Sequence, residues 1–237
     1  MGKFSVLFFA PLLALFLSCA TQIDGAVRGG GAADVTVDTS LQPAAVALVR
    51  SIQGFMGAAA DAPILNAGEI SLSIAAAPGV QSAALVNSTP NALNGRIAIS
   101  SIGDFLMLSE ASGQFISFSE GAAAGSSSIT IMLDRTFAPA VIRQLSPELA
   151  EHLALIMAPV VTGENMTRQA YLSLLSMIYG AALANEIAGA AIRVSVQFPR
   201  HITAVQGGTA TGSRAEFNIP LADLLVLENP LNFNVRW

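Results

Sequence analysis

The sequence predicts an α+β fold in which a mostly antiparallel sheet is divided by a central helical block. Three observations carry that prediction. Apolar and polar residues alternate with a period of two in strand candidates between residues 69 and 133 and again after Gly189, while the block over 146–187 changes to helical spacing. Charged residues make up only 11% of 237, against 53% for AVILMFWYC, a balance that builds a sizeable core and excludes a disordered chain. The formal net charge of -5 argues against a nucleic-acid binder, because phosphate neutralisation needs a basic stripe.

At the N-terminus, Lys3 precedes an apolar run over residues 4–17, interrupted by Ser5 and Pro11 and followed by Ser18, Cys19 and Ala20. The run falls short of the ~18 to 20 residues that span a bilayer, and Pro11 would kink a permanent helix, so residues 1–18 read as a signal peptide. Ser18 directly before the lone cysteine resembles the bacterial lipobox, whose cysteine is acylated on sulfur and becomes the first residue after cleavage. The pattern departs in placing Phe16, not leucine, three residues before the cysteine. That resemblance makes Cys19 the lipidation site and implies a palmitate-type anchor in the cell envelope, on the periplasmic or outer-membrane side. A single cysteine cannot form an internal disulfide. From Cys19 onward there are ten arginines, sixteen acids and no lysine, a net charge of -6. A Schiff-base lysine, a P-loop lysine and a Ser-Lys dyad are thereby excluded. Membrane residence is left to acyl chains, since anionic headgroups do not attract such a chain.

Residues 19–39 carry Gly29-Gly30-Gly31 among scattered Asp and Thr and read as an acylated flexible tether, with a single α+β domain over 40–237. Ser40 can cap a helix through Val46, Leu48, Val49 and Ile52 to about Met56. From Glu69, the alternation of Ile70, Leu72 and Ile74 with Ser71 and Ser73 predicts a half-buried strand. Pro78-Gly79 then makes a turn into a return strand over 80–86, and Asn94-Gly95 a second turn before a strand over 96–100. Residues 114–119 and 127–133 form a hairpin around the glycine-rich loop 121–125. Ser146-Pro147-Glu148 starts a helix reaching about Met157. Thr167 caps a longer one through Tyr171, Leu174, Leu175, Ile178 and Tyr179, continuing past Gly180 to Ile187. Beyond its first turn this helix is apolar nearly all round, which predicts burial on several sides or an apolar cavity beside it. Ile192, Val194, Val196 and Phe198 alternate with Arg193, Ser195 and Gln197 as the clearest strand. Residues 202–205 follow as another, then a hairpin loop over 207–212, a strand over 215–219, a helical turn from Pro220 to Leu227 and a last strand ending at Trp237.

The C-terminal run of strand, Phe198-Pro199, Gly207-Gly208, a strand over 215–219, Pro220-Leu221, Leu224-Leu225 and Val235-Arg236-Trp237 resembles bacterial envelope lipoproteins of the LppM-like type. The resemblance spans residues 191–237 and rests on turns and apolar positions. It implies an acyl-anchored domain, a twisted antiparallel sheet with a central helical pair packed on one face, and a role in handling envelope lipids. It brings no catalytic residue, and the helical block over 146–187 has no counterpart in it.

Other chemistry is sparse. Glu148 and His152 stand at i and i+4 beside Glu151, the spacing of half a metal site, but the remaining histidine, His201, is far away in sequence and a solvated helix face is the simpler reading. Residues 207–214 spell GGTATGSR, with Ser213 where a phosphate-binding lysine belongs, so they read as a hairpin. No GxSxG elbow occurs. The expectation is a non-enzymatic protein without cofactor, metal or nucleic-acid partner, attached to a membrane through acyl chains on Cys19. Two functions fit: a carrier of a lipid or other apolar ligand, or a structural or assembly subunit of an envelope protein complex. A cavity of ~300 Å³ or more would favour the carrier, and a flat exposed apolar face over a filled core the subunit.

Overall fold

The structure, a computed structural model, describes residues 20–55, 63–106, 116–123, 125–136, 138–139, 153–154 and 156–237. The expected tether is instead the start of the fold. β1 (Ala20–Val27) and β2 (Ala33–Ser40) pair antiparallel, from Ala20 opposite Ser40 to Val27 opposite Ala33. The correction has a simple cause: Thr21, Ile23, Val35, Val37 and Thr39 form an inward row, and the intervening Asp and Thr residues disguise it. Val37 and Thr39 are fully buried, and the triple glycine only turns the chain, with Arg28 N–H donating to the Ala32 carbonyl over 2.7 Å.

α1 (Pro43–Phe55) follows. Ser40 closes β2 and does not cap it; the orphan N–H groups of Ala44 and Ala45 donate to the Glu186 carboxylate at 2.8 and 3.1 Å. The strand expected from Glu69 is a helix, α2 (Ala67–Ala75). Asn66 caps it by accepting from the Glu69 N–H at 3.3 Å, and Ile70 and Ile74, one turn apart, are buried while Leu72 is 74% exposed. β3 (Val80–Thr89) and β4 (Ala92–Ile99) form a hairpin that turns at Pro90-Asn91, so Asn94-Gly95 lies within a strand and makes no turn. Gly95 is needed for close approach: a Cβ there would sit 2.1 Å from the Ala84 carbonyl oxygen.

After α3 (Ile102–Leu106), the expected hairpin is present as β5 (Ile116–Ser119) and β6 (Ser128–Leu133), paired from Ile116–Ile131 to Ser119–Ser128. The helix start at Ser146-Pro147-Glu148 lies outside the described residues, as does His152. The one-turn α4 (Pro159–Thr162) leads to α5 (Arg168–Tyr179), capped by Thr167, which accepts from the Ala170 N–H at 3.2 Å. Gly180, at φ 90°, breaks the expected continuous helix, and α6 (Ala181–Gly189) begins after it. The remainder is β7 (Ala191–Gln197), β8 (Ala204–Gln206), β9 (Thr209–Thr211), β10 (Arg214–Pro220), α7 (Leu221–Val226) and β11 (Leu231–Arg236).

The fold is α+β, with two open and mostly antiparallel sheets. Seven strands run in the order β3-β4-β2-β1-β7-β10-β9 and four in the order β5-β6-β11-β8. The exception to antiparallel pairing is β1 with β7, joined in parallel from Ala20–Ala191 to Ala26–Gln197. Helices cover part of the apolar face of the large sheet, where Leu93, Val37, Tyr171, Leu175, Leu183, Ile187 and Leu221 share one core. The small sheet packs near the far ends of β1, β7 and β10 through Phe198, Ala215, Val235 and Trp237, joined by Val27, Val196 and Phe217. Rings of Phe198 and Trp237 lie 4.5 Å apart there.

One expectation about α5 fails. Its buried residues are Tyr171 and Leu175; Met177 is 82% exposed and Ile178 48%, so the helix lies at the surface with one face inward.

Candidate functional site

The opposite face of the large sheet is polar because the alternation that buries one set of side chains turns the other outward. Across it, Arg96, Thr36, Asp24, Ser195, Glu216 and Thr209 are successive cross-strand partners, and Asp38, Gln22, Arg193 and Asn218 make the neighbouring row. Near the β10 edge this face is hollowed into an open groove of about 730 Å³. β9 spans three residues and pairs only with Arg214, Ala215 and Glu216, leaving the rest of β10 without a strand on that side. Gly207 and Gly208 carry the chain from the small sheet into β9 at the groove wall. A Cβ on Gly208 would meet the Glu216 carbonyl oxygen at 2.4 Å and the Phe217 ring at 2.5 Å, so only glycine permits this crossing.

The groove's charges are arranged unevenly. The Arg214 guanidinium stands 3.6 Å from Asp24 and 3.3 Å from Glu216, engaging both acids of the lining. Arg193 is exposed in the same groove and, among the described residues, makes no ion pair. Beside these polar groups lie Val194 and Phe217, the latter held edge-on against Phe233 with centroids 5.6 Å apart. The lining therefore offers guanidinium donors, hydroxyls, amides and an aromatic edge together, a set that suits an amphipathic molecule better than a purely apolar one.

Few residues singled out in the sequence meet here. Cys19 lies outside the described residues, one position before β1, and Glu148 and His152 also lie outside them. His201 is exposed in the turn after β7. Among the described residues no three of His, Cys, Asp and Glu gather to hold a metal. The stretch 207–214 holds the β9–β10 turn, as its reading as a hairpin requires, with Gly207 and Gly208 lining the groove. Sequence reasoning missed Asp24, Arg193, Arg214 and Glu216 as a group. Their outward alternation with Ile192, Val194, Ala215 and Phe217 was visible, but their meeting depends on β1 pairing with β7, a contact no local pattern announces.

Tyr171 is an ionisable group held well away from its ordinary value. Burial, reinforced by the neighbouring Tyr179, pushes its phenol up, and its hydroxyl donates to the Ile156 carbonyl at 3.2 Å. It sits in the core beneath α5, away from the groove lining.

Neither a protein-family model nor a curated protein matches the chain. Among solved structures it is similar to the NMR structure of the folded domain of the LppM protein of Mycobacterium tuberculosis, at 8% identity and a TM-score of 0.39, over 92% of this chain and 89% of that one. No helix among the described residues is long and apolar enough to cross a membrane.

Proposed function

We propose that the chain is a lipoprotein of the cell envelope, held to a membrane by acyl chains on Cys19, that binds a lipid or another amphipathic ligand and performs no chemistry on it. The groove of about 730 Å³ beside β10 supports this reading: it falls within the volume range of small-molecule sites and combines fixed polar groups with an aromatic edge. Anchoring would bring such a groove to its ligand's own membrane.

Both halves are testable. Metabolic labelling with a fatty-acid analogue should mark the wild-type chain and leave Cys19→Ser unmarked; equal labelling of that variant would remove the anchor. For the groove, Ser195→Trp places a large ring on the exposed sheet face, where it need not disturb the core. Retention of a fluorescent acyl probe should then fall at least tenfold with the melting temperature unchanged. A wild-type chain that retains no probe refutes the carrier.

A further inference from the structure

We propose that the outer face of the α5–α6 hairpin is the surface this protein lays against a lipid bilayer. The inference rests on the membrane attachment proposed above and adds an orientation to it. From residue 169 to 189 the chain holds a single charged residue, Glu186. That carboxylate is turned inward, occupied by the N–H groups of Ala44 and Ala45. At the foot of the hairpin, the Arg168 guanidinium is likewise engaged, with Asp223 at 3.2 Å and the Ala188 carbonyl at 3.3 Å. The outward positions are therefore uncharged: Ala170, Met177, Ile178, Ala181 and Ala182 are exposed, with the neutral polar Gln169, Ser173 and Asn185 among them.

An uncharged face of this extent is unusual on a protein surface, where about a quarter to a third of residues are charged. It contrasts with the opposite face of the molecule, which carries Asp24, Asp38, Arg96, Arg193, Arg214 and Glu216. The two faces differ enough to orient the protein at an interface between oil and water.

The position of the N-terminus selects the bilayer as occupant. Ala20, at the start of β1, is the cross-strand partner of Ala191, two residues beyond the end of α6. Because residues 20–40 are folded into the sheet, no spacer separates the domain from Cys19. Acyl chains on that cysteine would hold the end of α6 at the membrane surface. The net charge of -6 beyond the signal segment gives anionic headgroups nothing to attract, so contact must come from apolar side chains, and Met177 and Ile178 supply them.

The test uses the full chain reconstituted in phosphatidylcholine vesicles that contain brominated lipid. Trp237 is the sole tryptophan and is buried, so an added tryptophan reports its own surroundings. Met177→Trp should lose its added fluorescence to bromine, whereas Thr36→Trp, exposed on the charged sheet face, should keep it. Vesicles that float the protein while leaving Met177→Trp unquenched would overturn the orientation and leave the anchor standing. Failure to float at all would remove both. A lipid-independent blue shift of Met177→Trp as protein concentration rises would assign the face to a second copy of the chain, and would equally overturn the proposal.

Discussion

At the scale of single residues, arginine replaces lysine as a means of fixing loops. Arg200 donates to the carbonyls of Gly121, Ala122 and Ala123 at 2.8 to 2.9 Å, pinning the loop between β5 and β6. Arg135 binds the Met166 carbonyl at 2.9 Å, the Val226 carbonyl at 3.3 Å and the Asn165 side chain. A planar fork can hold several carbonyls at fixed angles, which a lysine ammonium on a flexible stem does less well. Arg200→Lys should accordingly lower stability by about 1 kcal/mol in denaturant titration, despite the conserved charge. Tyr171→Phe gives a second test. At neutral pH it should cost about 1 kcal/mol, because the Ile156 carbonyl loses its donor. Since the folded-state pKa lies above the unfolded value near 10, the native state holds the phenolic proton longer than the unfolded state does. Stability is therefore undiminished below pH 10 and declines as pH rises above it. The phenylalanine variant lacks this decline, so its deficit against wild type should shrink in unfolding curves measured above pH 10.

At the scale of elements, some signals were legible and others carried two meanings. Thr167 before an apolar run correctly marked the start of α5, and the alternation over 127–133 correctly marked the strand found at Ser128–Leu133, because cap chemistry and strand alternation act over a few residues. Ile70, Leu72 and Ile74 are ambiguous: they fit a period of two, and Ile70 with Ile74 also fit a helical turn. Asn66 decides between them by capping α2, and Ser71 then accepts the outward N–H of Leu85 at 2.9 Å, so the helix protects part of the β3 edge. Burial within α5 was not legible either, since an all-apolar helix does not say which face turns inward. Leu175, 1% exposed, and Ile178, 48% exposed, should consequently respond differently to truncation. Leu175→Ala should cost about 2 to 5 kcal/mol by leaving a cavity. Ile178→Ala should cost under about 1 kcal/mol, because little of its surface is taken from water. Thermal unfolding of both variants checks the pair.

At the scale of the whole molecule, the largest departure from the sequence reading is that the first twenty described residues are structural. Glycines, aspartates and threonines look like a spacer when taken singly; paired with β4 on one side and β7 on the other, the same residues make the centre of a sheet. Limited proteolysis should leave residues 20–40 protected within the resistant core. Rapid cleavage after Arg28 followed by release of the preceding strand would contradict the architecture. The candidate groove was illegible for a related reason: it needs β1, β7 and β10 side by side, and only long-range pairing arranges them. That same pairing sets a timetable. β1 leaves the ribosome early, yet its partner β7 is roughly 170 residues later, an interval of roughly ten to thirty seconds at ordinary rates of synthesis. Closing so long a loop is also slow in itself. β1 to β4 can pair among themselves within the first hundred residues, but the side of β1 that takes β7 must wait unpaired until most of the chain has been made.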